Sequence, residues 1–144
     1  MFFDPNNVMI HGITADRVAD KPSFAELWVE VHSEIQGMPL VAYNVSFDIS
    51  VLRHALDDYR IQYPELHYYC TRAISRALWP TLPSHGLELV SHYLGLPFTH
   101  HAVEEDATAC AAIVLRGSSE AGVADLTQLA QHLMVRCGHL SPKR

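Results

Sequence analysis

Asn44-Val45-Ser46-Phe47-Asp48, read together with His100-His101-Ala102-Val103-Glu104-Glu105-Asp106-Ala107, decides how this chain folds. The first segment follows a short apolar run, Pro39-Leu40-Val41-Ala42-Tyr43, which reads as a buried strand. Ser46 can cap the helix after it, with Phe47, Val51, Leu52 and Ala55 as the buried face. Asp48 then lies in a first helical turn just past the carboxyl end of a strand, the edge at which open α/β sheets bind ligands. In the second segment His101 stands five positions before Asp106, so the two cannot share a helical face. They fit a histidine on a loop and an aspartate in the helix that follows. That arrangement suits a general base that approaches a nucleophilic water only when substrate is present, with Asp106 as a fixed metal ligand. Two aspartates and a histidine make half of a two-metal phosphodiester-cleaving site.

Each of these features also has a plainer reading. A carboxylate in a first turn stabilises its helix through the dipole, and Glu104-Glu105-Asp106 can be a solvated acidic helix start. Asn44 and Phe47 tilt the balance, because an amide can hydrogen-bond a sugar or phosphate and an aromatic can pack under a base or in the core. A zinc site from His100, His101 and Glu104 lacks an i, i+4 ligand pair, and Cys137-Gly138-His139 lacks a partner pair nearby.

Working outward, the opening Phe2-Phe3-Asp4-Pro5-Asn6-Asn7 reads as irregular or extended, followed by a turn centred on Gly12. Ser23 and Glu26 form a capping box ahead of Phe24, Leu27, Trp28, Val31 and Ile35, one helical face stopped near Gly37. Leu66-His67-Tyr68-Tyr69-Cys70 reads as a second strand, and Thr71 caps a short helix to about Leu78. Ser84 opens a helix through Leu87, Val90 and Leu94, closed by Gly95. Val103, Ala107, Cys110 and Val114 stripe another, ending at Gly117, and Asp125 caps a last one carrying Leu126, Leu129, Ala130 and Leu133. Two strands make a poor sheet on their own.

A length of 144 residues fits a single domain with a real core. Apolar residues at 49% against 18% charged exclude a disordered chain. No apolar run is long enough to span a bilayer, and the start lacks the basic and apolar regions of a secretory signal, so a soluble cytoplasmic protein with no membrane partner is expected. The net charge of −6 does not advertise nucleic-acid binding, although a carboxylate-rich metal site is anionic until loaded. Three cysteines without close pairing, Cys70, Cys110 and Cys137, argue for buried thiols rather than a disulfide framework.

Asn44-x-x-Phe47-Asp48-x-x-x-Leu52 followed by His101-x-x-x-x-Asp106-Ala107 closely resembles the DnaQ-like 3′–5′ exonucleases of the DEDDh type, which include the proofreading subunit of bacterial DNA polymerase III. The resemblance covers nearly the whole chain. Ile10-His11-Gly12-Ile13-Thr14 looks like the loop before the family's first helix, and Cys70-Thr71-Arg72 like the segment after its middle strand. His85-Gly86-Leu87-Glu88-Leu89 through Leu94-Gly95-Leu96 looks like the helix leading to the histidine loop. The resemblance implies an α/β, ribonuclease H-like fold and removal of nucleotides from a single-stranded 3′ end with two Mg²⁺ or Mn²⁺ ions. It implies Asp48 and Asp106 as catalytic metal ligands, His101 as general base, and His11, Asn44 and Phe47 as contacts to the terminal nucleotide.

The sequence departs from the family in two places. Ala102 directly follows His101, where many members carry an alanine one place later, but the spacing to Asp106 is kept. The family's other two acids form an Asp-x-Glu on its first strand, and no Asp-x-Glu occurs in these 144 residues. Met1 falls just before the His11-Gly12 loop, so the expectation is a partial domain, N-terminally truncated and lacking the first strands, with impaired activity. A non-catalytic module that binds nucleic acid or a DNA polymerase is the alternative. Without those strands the run at Leu40-Val41-Ala42 would expose an edge, which invites homo-oligomers.

Overall fold

A computed structural model describes residues 4–97 and 103–142. It contains eight helices and three strands among these residues. The first helix is α1 (Pro5–His11), where an irregular start was expected. Asp4 caps it by accepting from the backbone N–H of Asn6 at 2.8 Å, and Pro5 takes the first turn. The helix buries no residue, so it leaves no apolar stripe to read. Gly12 ends it in the left-handed region, φ 69°, which makes the expected turn. A single turn, α2 (Ala15–Val18), leads to α3 (Phe24–Ile35) with its Ser23/Glu26 capping box.

The sheet has three strands, β1 (Leu40–Ala42), β2 (Leu66–Cys70) and β3 (Gly138–Leu140), in that order. β1 runs parallel to β2, with Leu40 opposite Tyr68 and Ala42 opposite Cys70. β3 runs antiparallel on the far side of β2, with Leu66 opposite Leu140 and Tyr68 opposite Gly138. Side chains alternate between the faces of a strand, and the core divides accordingly. Leu40, Leu66, Tyr68 and Leu140 pack with Trp28 of α3 and Leu56 of α4 (Ser46–Asp58). On the other face Val41 and Tyr69 pack with Ile74 of α5 (Thr71–Leu78), Val90 of α6 (Leu87–Tyr93), Ile113 of α7 (Val103–Ala121) and Leu129 of α8 (Leu126–His132). Helices thus cover both faces of a small mixed sheet, an α/β architecture. Among the described residues no strand pairs with the outer edge of β1, and no helix is long and apolar enough to cross a membrane.

Several local expectations are corrected. α4 begins at Ser46, with Val45 as the cap residue and no side-chain cap. Its buried positions are Ile49 and Leu56, with Val45 buried just ahead and Leu52 partly buried, a face turned by roughly 100° from the expected one. Phe47 and Val51 instead face out, 67% and 52% exposed. Thr71 is the first residue of α5 rather than its cap. α7 continues through Gly117 to Ala121, because that glycine serves close packing and not termination. A Cβ on Gly117 would stand 2.5 Å from Leu78 Cδ1 of α5 and 3.2 Å from Leu129 Cδ2 of α8. Of the three free thiols only Cys110 is buried; Cys70 is half-buried and Cys137 exposed.

Candidate functional site

β1 and β2 are parallel, so their carboxyl ends, Ala42 and Cys70, lie at one pole of the sheet. The chain leaves β1 through Asn44, which adopts the left-handed region at φ 54°. Asparagine is among the few side chains that tolerate this conformation. Its carbonyl accepts from the Phe47 N–H at 3.0 Å, closing the turn into α4. Asp48 follows in the first turn of α4. As a residue Asp48 is solvent-exposed, yet its carboxyl lies close enough to packed protein that burial raises its pKa above the ordinary carboxylate value, with its own backbone N–H opposing the rise. Ionised Asp48 is therefore disfavoured when alone, and a nearby cation would offset that cost.

Asp106 occupies the first turn of α7, half-buried. One turn further on, Cys110 is buried between α7 and α5, its Sγ 3.4 Å from Thr71 Oγ1. Burial raises the Cys110 thiol pKa, Thr71 and the Tyr43 backbone oppose the rise, and the charges of Asp106 and Asp48 add to it. One buried sulfur thus lies within Coulombic reach of both carboxylates, although they come from helices that follow different parts of the chain. α7 packs directly on β1 as well as on α5, α6 and α8, which carries Asp106 to the strand that delivers Asp48. Tyr43, the residue after β1, secures the same region by donating its hydroxyl to the His85 carbonyl at 3.1 Å.

The remaining candidates fall differently. Phe47, exposed beside Asp48, is free to meet a planar ligand and is not a core residue. His11 ends α1, and its Nδ1 accepts from the Ile13 N–H at 2.9 Å. Among the described residues no contact joins His11 to Asn44, Asp48 or Asp106. His101, and His100 and Ala102 beside it, lie outside the described residues. Away from this pole His139 is taken up by Glu65 at 2.5 Å and by stacking on His67, rather than joining Cys137 at a metal. Two groups went unread in the sequence. The buried Cys110–Thr71 pair carries no pattern of its own. Arg72, Arg76 and Arg136 line a cleft that also includes Asn44; the i, i+4 spacing of the first two was a signal in plain view.

As a metal centre the described residues are incomplete. Two aspartates are hard oxygen donors that suit Mg²⁺ or Mn²⁺, but among the described residues no group of three or more His, Cys, Asp or Glu could hold an ion.

The family model described as "Exonuclease" (RNase T) matches residues 2–114, more than half of the chain. The chain belongs to the DnaQ-like exonuclease family. This exonuclease-family chain is 32% identical over 109 residues to the DNA polymerase III subunit epsilon of Treponema pallidum, a match covering 74% of the chain and 51% of that protein. It is 31% identical over 81 residues to the Escherichia coli subunit of the same name, covering 54% of the chain and 33% of the relative. It is 27% identical over 106 residues to the 3′-5′ exonuclease DinG of Staphylococcus epidermidis, covering 72% of the chain and 12% of that protein. The chain therefore spans at most about half the length of these relatives. The ribonuclease H-like character of the family agrees with the mixed α/β content, here with a sheet of three strands. β3 and the whole of α8 contribute to the core from beyond the matched stretch.

Proposed function

We propose that this chain is a 3′–5′ exonuclease domain of the DnaQ-like type that carries two of the four metal-binding acids. Asp48 and Asp106 would hold Mg²⁺ or Mn²⁺, and the ions would supply charge stabilisation to the phosphodiester at a nucleic-acid 3′ end. His101 takes the proton of the attacking water. Asn44 hydrogen-bonds the terminal sugar or phosphate, Phe47 lies against the terminal base, and His11 contacts the same nucleotide. What supports this reading is the packing of α7, with Asp106 in its first turn, against β1, the strand that leads into Asp48. A DNA polymerase is the partner suggested by the epsilon relatives, and a cytoplasmic setting accords with that.

Two metal ions held by two acids alone bind poorly, and no Asp-x-Glu occurs in the 144 residues. The expected result is therefore little or no trimming of a 3′-labelled single strand by this chain with Mg²⁺. Robust Mg²⁺-dependent trimming that Asp106→Ala abolishes would show that the two acids suffice. A second reading, a non-catalytic module that binds nucleic acid or a polymerase, is favoured by the same missing pair. It predicts oligonucleotide binding that persists in EDTA and weakens with salt.

On this reading the 144 residues act as one domain, and among the described residues the outer edge of β1 is open to another strand. Unpaired edges template association, so sedimentation of the isolated chain should reveal dimers or larger species. A monodisperse monomer at micromolar concentration would count against a reactive edge.

A further inference from the structure

We infer that the cleft formed by Arg72, Arg76 and Arg136 is a binding track for the phosphate backbone of a single-stranded polynucleotide, leading away from Asn44. The inference rests on the exonuclease reading for the class of ligand, and on the structure for the track itself. The cleft is open, about 620 Å³, and among the described residues no acid lines it. Arg72 and Arg76 stand one turn apart on α5, both exposed, and Arg136 reaches the same cleft from the segment between α8 and β3. Like charges four residues apart on a helix repel, and here nothing neutralises them: among the described residues none of the three arginines is in an ion pair. In a chain of net charge −6, with ten basic residues in all, gathering three unpaired guanidinium groups in one cleft calls for an anionic ligand.

The geometry favours a polynucleotide over an isolated anion. The cleft begins at Asn44, beside the turn that delivers Asp48, and it adjoins a second cleft that shares Cys70 and Arg136 and continues along β3 to His139. A strand whose 3′ end sat at the acids would have its next phosphates over α5. Guanidinium groups pair with phosphates through two parallel N–H bonds. Met134, 92% exposed on the rim, offers a flexible apolar surface to a base. The cleft beside Glu104 and Glu105 is acidic by contrast and would repel the same strand. Arg136 and Met134 also lie beyond the residues 2–114 that the family model matches, so one of the three arginines comes from outside the matched stretch.

The test is anisotropy of a 5′-fluorescein oligothymidine of about twenty nucleotides with the 144-residue chain, in EDTA, across a salt series. Log affinity should fall linearly with log salt, and the triple change Arg72→Ala, Arg76→Ala, Arg136→Ala should flatten the slope by about 2, three phosphates at roughly 0.7 each. Affinity at low salt should drop roughly tenfold or more. The triple lysine variant, which keeps charge without the planar fork, should retain most of the slope, and matched thermal melts would confirm that both variants fold. Wild-type binding whose slope the alanine variant leaves unchanged overturns the track and leaves the exonuclease reading standing. Oligothymidine that fails to bind wild-type protein, with or without Mg²⁺, removes both. Polyglutamate bound more tightly than the oligonucleotide, in an arginine-dependent manner, assigns the cleft to an acidic protein segment and overturns the inference.

Discussion

Ile113→Ala is expected to lower the free energy of unfolding by about 2–5 kcal/mol, the usual cost of emptying a buried aliphatic site. Ile113 is 1% exposed at the middle of α7, in contact with a cluster that includes Tyr69, Ile74, Val90 and Leu129. α7 is the element on which α5, α6, α8 and β1 all pack, so a cavity there loosens each of them. Asp106 and Cys110 ride on the amino-terminal half of the same helix. The substitution should therefore weaken the placement of Asp106 as well as global stability. Urea unfolding followed by circular dichroism measures the first, and a loss below about 1 kcal/mol would mean that α7 is not the hub of the core.

Gly138→Val should cost about 1–3 kcal/mol through overpacking. Gly138 faces Tyr68 across the β2–β3 pair, and any Cβ at that position would fall inside the van der Waals envelope of the Tyr68 ring. The ring is held against the cluster of Trp28, Leu56, Leu66 and Leu140 and cannot swing away freely. A β-branched side chain would separate β3 from β2 and uncover Leu140, which is 1% exposed. The mechanism has a direct check. In a Tyr68→Ala background the valine should cost much less, because its collision partner is gone. Additive losses in the double variant would place the damage in the strand backbone instead.

What the sequence made legible was whatever has a period or a cap. The Ser23–Glu26 box and the apolar runs of β1 and β2 were readable because each is a local device, whereas the expected face of α3 was right at Phe24, Trp28 and Ile35 but not at Leu27 and Val31, which are exposed. β3 was not, because three residues, Gly138-His139-Leu140, are too short for a period and owe their pairing to β2. The face of α4 was misassigned because Phe47 and Val51 are as apolar as Ile49 and Leu56, and only tertiary packing chooses between two stripes on one helix. Gly117 looked like a stop because a glycine near a helix end usually is one; its role is set by Leu78 and Leu129, which sequence distance hides. At the candidate site, the first-turn positions of Asp48 and Asp106 were legible from cap and strand signals. The packing of α7 on β1, which carries Asp106 toward the strand ahead of Asp48, was not, since it depends on tertiary contacts.

The most direct measurement is a Mn²⁺ titration, reading free ion by electron paramagnetic resonance, on wild type, Asp48→Asn, Asp106→Asn and the double variant. Two carboxylates and no phosphate should bind weakly, on the order of a millimolar dissociation constant. If the two acids share one ion, either single change should abolish that binding and the double variant should be no worse than a single one. Full Mn²⁺ binding retained by either single variant would contradict a common site for Asp48 and Asp106.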